Sequence, residues 1–237
     1  MLEYSISSFK RWYGDSHKYI LYTDNVESIP VSLKNIAQVK SFFSENKSMF
    51  DVKSKATWLK WCPKSRINID ETEFYIDSDV FLVKYPKEIE NFLNDDSLHF
   101  AILDEFEGES WQHGAMKVKA SPDTPFINAG LFIQKKNYDI TPDLAREFEW
   151  WLKNISYKNQ THHDEQGSLA IALTPYLRNG SLLILPKEKY ALISDHQNLE
   201  IKSLDNIDLF HATWPEHPAF YRFKLDLNKI IYGEQNR

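Results

Sequence analysis

Apolar positions recur along this chain in two alternating periods, helix-like and strand-like. Leu2, Ile6, Phe9 and Tyr13 stand at helical spacing over residues 2–13, and Gly14-Asp15 closes that segment. HKYILYTDN predicts a strand over 19–23 that ends at the polar pair Asp24-Asn25. Residues 39–47 and 53–61 read as helices, the second stopped by Pro63. TEFYIDSDVFLV, residues 72–83, is a β-rich run with acidic residues in its middle. Further helices are predicted over 86–93, 144–154 and 164–173. Strands are predicted over 98–103, over FINAGLFIQ at 126–134 and over LLILP. The stretch 104–125 is polar and irregular, a length that inside a domain marks a functional lid or a misread element. Alternation of this kind predicts an α/β fold with a mainly parallel sheet. No repeat, linker or low-complexity segment divides the chain, so residues 1–237 are expected to form one domain.

The 237 residues suffice for a substantial core, and 42% hydrophobic with 26% charged residues is ordinary for a globular chain. Aromatic content is high, with 7 Trp, 12 Tyr and 15 Phe. The 7 glycines amount to about 3% of the chain against ~7% in typical proteins, which leaves little for a glycine-rich phosphate loop. A formal charge of -6 argues against nucleic acid as a partner, because phosphate contacts need Lys and Arg in excess. Cys62 is the sole cysteine, so neither an internal disulfide nor a cysteine-based zinc site is expected; it reads as a small buried hydrophobe. No run has the ~18 apolar residues of a membrane span, and the first residues lack a basic leader. A cytoplasmic chain is expected, and a lipid-linked substrate would bring the membrane to it.

Three clusters carry chemistry. Asp77 and Asp79 stand two apart beside an apolar run, so in an extended strand both carboxylates point one way. Two carboxylates that close repel each other unless a hard divalent cation sits between them. The alternative for this triplet is a solvated acidic turn. In LFHATW, His211 ends a short apolar run; two carboxylates with one imidazole suit Mn²⁺ better than Ca²⁺. In HHDEQGSLAIAL, Asp164 and Glu165 open an apolar helix, where negative charge is favoured. Asp164 reads equally well as a helix N-cap, whereas Glu165 with Gln166 would hold or polarise a reacting sugar.

Taken in order, IDSDVFLV, FINAGLFIQ, HDEQGSLAIAL and LFHATW resemble the GT-A glycosyltransferases over about residues 4 to 223. The likeness is to glycosyltransferase family eight, the glycogenin and lipopolysaccharide galactosyltransferase group, with some to family six. The resemblance implies a single GT-A domain, a Rossmann-like mixed and mainly parallel sheet flanked by helices. It implies a metal-dependent transferase that moves a sugar from a nucleotide-sugar donor (a UDP-sugar) to a carbohydrate-containing acceptor, a glycan, lipid-linked or protein one, with retention of configuration. By resemblance, Asp77, Asp79 and His211 bind Mn²⁺ or Mg²⁺, and Asp77 also faces the donor. Asn128, Ala129 and Gly130 line the sugar pocket, Glu165 and Gln166, with Asp164, lie by the anomeric carbon, and Arg66 is a donor contact. Family members begin with a strand that holds the nucleotide base. This chain opens on what reads as a helix, so either the first strand precedes the given residues, or the start is misassigned, or the base is held differently, by Tyr4 or Tyr22. Family eight follows its metal histidine with Gly and Lys; here Ala212, Thr213 and Trp214 follow, leaving His217 or Arg222 as the cation for the diphosphate. Trp58, Trp61, Trp111 and Trp214 are candidate sugar platforms, with core packing as their alternative.

Two other readings compete. A D-x-D at a strand end also marks haloacid-dehalogenase-type phosphatases, but DSDVF lacks the Thr that they place after the second Asp. The second is a GT-A-like protein that binds a glycan or nucleotide sugar without turnover. The stretch 104–125, with Trp111, His113 and Lys117, is where acceptor selection is expected.

Overall fold

A computed structural model describes residues 1–41, 52–53, 55–61, 68–193, 201–213 and 217–233. In chain order its elements are α1 (Leu2–Tyr13), β1 (Ile20–Thr23), α2 (Val31–Ile36), β2 (Gln38–Ser41), α3 (Lys55–Leu59), β3 (Glu73–Ile76) and β4 (Val80–Leu82). Then come α4 (Lys87–Asn94), β5 (Phe100–Asp104), α5 (Met116–Lys119), β6 (Ile127–Gln134), α6 (Thr141–Asn154), α7 (Asp164–Arg178), β7 (Leu182–Leu185), β8 (Tyr190–Ile193), β9 (Leu209–Ala212) and α8 (Pro218–Tyr232). The chain forms two compact units, each from separated stretches. One comprises Met1–Phe42, Ile76–Lys87 and Pro186–Arg237; the other comprises Phe43–Tyr75 and Glu88–Leu185.

In the first unit β1 and β2 pair in parallel, and β4, β9 and β8 make a three-stranded sheet. β4 is antiparallel to β9, with Val80 opposite His211, while β8 runs parallel to β9. All three residues of β4 are buried, and Phe81 packs with Phe210, Phe220 and Phe223 in this unit's core. The middle of α1 contributes small polar residues to the interior: Ser8 Oγ accepts the Leu82 backbone N–H at 3.0 Å, so a buried ladder group is satisfied by a side chain. Gly14, at φ +78°, ends α1 and donates its N–H to Lys10 O.

The second unit holds the four-stranded sheet β3-β6-β5-β7, in which β5 is antiparallel to β6 and parallel to β7. Its core gathers Phe100, Ile102, Phe132, Phe148, Trp151 and Leu169 among others. All eight residues of β6 are buried, which is why FINAGLFIQ reads as one apolar run rather than an alternation. The β5–β6 register breaks at one place. Ile102 faces Phe132 but Leu103 faces Asn128, one step on β5 against four on β6. The bulge takes Ala129, Gly130 and Leu131 out of the regular ladder.

Several expectations are corrected. Residues 72–83 are not one extended strand: β3 and β4 belong to different sheets, and the Val80 N–H closes a turn onto Asp77 O at 3.3 Å. The helix expected from residue 39 begins as a strand instead, because β1 offers a parallel partner that starts with the Gln38 N–H on Tyr19 O at 2.7 Å; its remainder lies outside the described residues. The stretch 104–125 carries a short 3-10 turn at Glu109–Trp111 and then α5, with Ala115 and Met116 buried. α7 runs past the predicted end at 173 and through Pro175 to Arg178. The N-cap of α7 is His163, so Asp164 is its first helical residue rather than its cap. Trp58 and Trp61 lie in the core against Phe148, Trp151, Tyr75 and Phe132, out of reach as sugar platforms. Pro63, Cys62, Arg66 and Trp214 fall outside the described residues. No helix among the described residues is long and apolar enough to cross a membrane.

Candidate functional site

The first unit brings Asp77, Asp79 and His211 together. One ligand atom from each lies within 4.8 Å of the others, and they are the one such His, Cys, Asp or Glu group of three among the described residues. The backbone explains the meeting. Asp79 immediately precedes β4, whose first residue pairs with His211, and the Ala212 N–H donates to Asp79 O at 2.9 Å. The turn that replaces the extended strand leaves Asp77 beside this junction, its carbonyl oxygen accepting from Val80 N at 3.3 Å.

Asp79 is buried and faces two imidazoles. Its Oδ1 is 3.2 Å from His211 Nε2, and its Oδ2 is 3.2 Å from His217 Nδ1. Burial pushes the Asp79 carboxyl up, but the charge and hydrogen bond of His211, then the charge of His217, outweigh it and hold the group below its usual range. His217 Nδ1 is also 2.7 Å from Ala212 O. A carbonyl oxygen only accepts, so Nδ1 carries the proton and the tautomer is fixed. His217 adopts a left-handed φ of 47° as the N-cap of α8, a strained conformation that turns its ring back to this junction. Two carboxylates and one imidazole, clustered and half to fully buried, fit a divalent cation of the Mg²⁺ and Mn²⁺ type.

The second unit builds a separate polar cluster on the β6 bulge. Asn128 Oδ1 accepts the Gly130 N–H at 2.9 Å, and Gln166 Oε1 accepts the Ala129 N–H at 3.1 Å. Side chains thus satisfy the backbone donors that the bulge frees. Lys60 Nζ donates to Ala129 O at 2.9 Å. Glu105 Oε2 accepts from Asn128 Nδ2 at 3.0 Å and from Gln166 Nε2 at 3.3 Å. Glu165 follows Asp164 in the first turn of α7, and both are buried. Asp164 is occupied by the fold: its Oδ2 accepts from Trp151 Nε1 at 3.1 Å and Thr161 N at 2.8 Å, and its Oδ1 accepts from Thr161 Oγ1 at 2.5 Å. Gly167 lets the chain at His113 cross this turn, since a Cβ there would stand 1.9 Å from His113 O.

The other expected contacts are scattered. Tyr4 donates its hydroxyl to Asn228 Oδ1 at 2.8 Å and packs edge-on against Phe220, joining α1 to α8. Tyr22 lies on β1 and is partly exposed. Arg222 is exposed on α8, donating weakly to Ile201 O at 3.4 Å. Glu105 and Lys60 were not singled out from sequence. An acidic pair at the carboxyl end of a strand was a signal for Glu105, masked by the irregular stretch that follows it.

No family model matches the chain, and no curated protein does. Solved structures do resemble it. A galactosyltransferase, LgtC, crystallised with donor and acceptor sugar analogues, matches with a TM-score of 0.58 at 11% identity over 100% of this chain and 93% of its own. Mouse xyloside xylosyltransferase 1 matches with a TM-score of 0.51 at 12% identity, covering 89% of this chain and 90% of that one. The bifunctional glycosyltransferase WbbM matches with a TM-score of 0.52 at 12% identity over 97% of this chain and 47% of its own. At these identities the likeness speaks for architecture, and the architecture is the GT-A glycosyltransferase fold.

Proposed function

We propose that this protein is a metal-dependent glycosyltransferase that moves a sugar from a nucleotide-diphosphate sugar, a UDP-sugar, to a glycan, lipid-linked or protein acceptor with retention of configuration. The observation that carries the reading is the convergence of Asp77, Asp79 and His211 on a chain with the GT-A fold. These three residues would hold Mn²⁺ or Mg²⁺, which when bound supplies Lewis-acid stabilisation of charge on the departing diphosphate. Residues 1–237 would act as one transferase domain, although they form two compact units.

The chain's own groups take the remaining roles. Glu165, rather than the fully engaged Asp164, would stabilise positive charge developing on the donor sugar. Gln166 and Asn128, held against the β6 backbone, would orient the sugar hydroxyls. Orientation of this kind matters because a small misplacement of reacting groups costs about 100-fold in rate.

Calorimetry of UDP, UDP-sugars and GDP-sugars with and without Mn²⁺, followed by a donor-hydrolysis assay over the same panel, tests the reading. Metal-dependent nucleotide binding with hydrolysis of one donor is expected. Absence of binding to any nucleotide would sink it, and binding without turnover on any donor or acceptor would favour a sugar-nucleotide binding protein.

A further inference from the structure

Glu105 directly follows β5 and is buried at 6% exposure, together with Asn128 at 7% and Gln166 at 6%. Both of its carboxylate oxygens face donors. Oε1 accepts the Phe106 N–H at 2.9 Å, while Oε2 accepts from Asn128 Nδ2 and Gln166 Nε2. The two amides have no freedom in this arrangement. Backbone N–H groups only donate, so the oxygens of Asn128 and Gln166 must point to Gly130 N and Ala129 N, and their nitrogens must point to Glu105.

We propose that Glu105 is a positioning residue whose carboxylate locks the side-chain amides of Asn128 and Gln166 in one orientation and thereby fixes the polar face they present to the donor sugar. The inference rests on the reading above, in which these two amides contact the sugar. A carboxylate is needed for this, because it is acceptor-only on both oxygens. The isosteric Gln cannot replace it. Whichever way the new amide turns, its NH₂ meets either the Phe106 N–H or the two side-chain NH₂ groups. In a buried site such a donor–donor contact is expensive, and either amide relieves it by rotating and turning its oxygen to where its nitrogen stood.

Two measurements on the full chain test the proposal. The first is independent of turnover: ¹H–¹⁵N spectra of the side-chain amides, with Asn128 and Gln166 assigned by the loss of their signals in N128D and Q166E. In the wild type both NH₂ groups should give widely split, slowly exchanging proton pairs, and Glu105→Gln should collapse both towards solvent-like values. Signals unmoved by E105Q would overturn the inference whatever the enzyme does. The second is donor hydrolysis. E105Q should lower kcat roughly 100-fold with Mn²⁺-dependent UDP affinity unchanged. In a Q166A background the same substitution should cost clearly less than in the wild type, because only Asn128 is left for Glu105 to hold. Equal losses in both backgrounds would mean that Glu105 acts on stability alone. Should E105Q lose its fold, Glu105→Ala removes the acceptors without adding a donor and gives the same two readouts. A wild type that hydrolyses no donor defeats the proposed function, while the spectra still decide the role of Glu105.

Discussion

Asp79 is the residue on which the proposed metal centre turns, since each of its oxygens faces a different imidazole. Asp79→Ala should abolish Mn²⁺-dependent UDP binding in calorimetry. His217 acts on it from the other side, its ring fixed by Ala212 O. Removing a partner that orients a metal ligand typically costs 10–100-fold, so His217→Ala should weaken Mn²⁺ affinity by roughly that factor. Its role was not legible in the sequence: a histidine in the loop after LFHATW offers no sign that a left-handed turn carries it back to the aspartate. His113 shows the opposite electrostatics. Burial, then the neighbouring His163 and Lys117, push its pKa from 6.5 down to about 4. The fold therefore favours the neutral ring, and the unfolded chain takes up a proton first. Its contribution to stability is complete above pH 6.5 and is lost as the pH falls towards 4. His163 is depressed in the same direction, chiefly by burial. Thermal melting across this window should show a shallower pH dependence in His113→Gln than in the wild type, with a residual slope from His163.

At the scale of elements, the β6 bulge and the first turn of α7 are made for each other. The bulge frees backbone donors, and Gln166 on α7 satisfies one of them. The same turn of α7 is also approached closely by the 113–114 segment, and two glycines allow it. Gly114, at φ +46°, would place a Cβ 2.7 Å from Asp164 O, and Gly167 would place one 1.9 Å from His113 O and 2.5 Å from its carbonyl carbon. Both obstacles are backbone and cannot swing aside. Gly167→Ala should therefore destabilise the protein by roughly 3 kcal/mol or more, read from urea midpoints. Helices and strands with a strong period were legible: α1 and β6 lie within a residue of where the pattern put them. β2 and β8 were not, because a four-residue strand is defined by the strand it pairs with, β1 in one case and β9 in the other. α8 was hidden for a different reason: Pro218 suits a first helical turn, and the exposed Tyr221 and Leu225 blur its apolar stripe.

Across the whole molecule, the proposed chemistry divides between chain segments of the two units: Asp77, Asp79, His211 and His217 in one, Glu105, Asn128, Glu165 and Gln166 in the other. The division is testable. Gln166→Ala should keep Mn²⁺-dependent UDP binding and slow donor hydrolysis roughly 100-fold without abolishing it, whereas Asp79→Ala should lose both. The composition is also explained in part. All 7 glycines lie among the described residues, five of them at positive φ; among the aromatics, Trp58 and Trp151 fill the core. By itself the sequence determined the α/β class and the identity of the metal candidates, because periodicity and the pairing of like charges are local properties of the chain. It could not determine that His217 joins His211 at Asp79, that Asp164 is consumed by Trp151 and Thr161, or that Glu105 accepts from two amides. Those facts arise from strand register, a bulge and a left-handed turn. Each depends on partners far away in sequence, and only the folded chain brings those partners within hydrogen-bond distance.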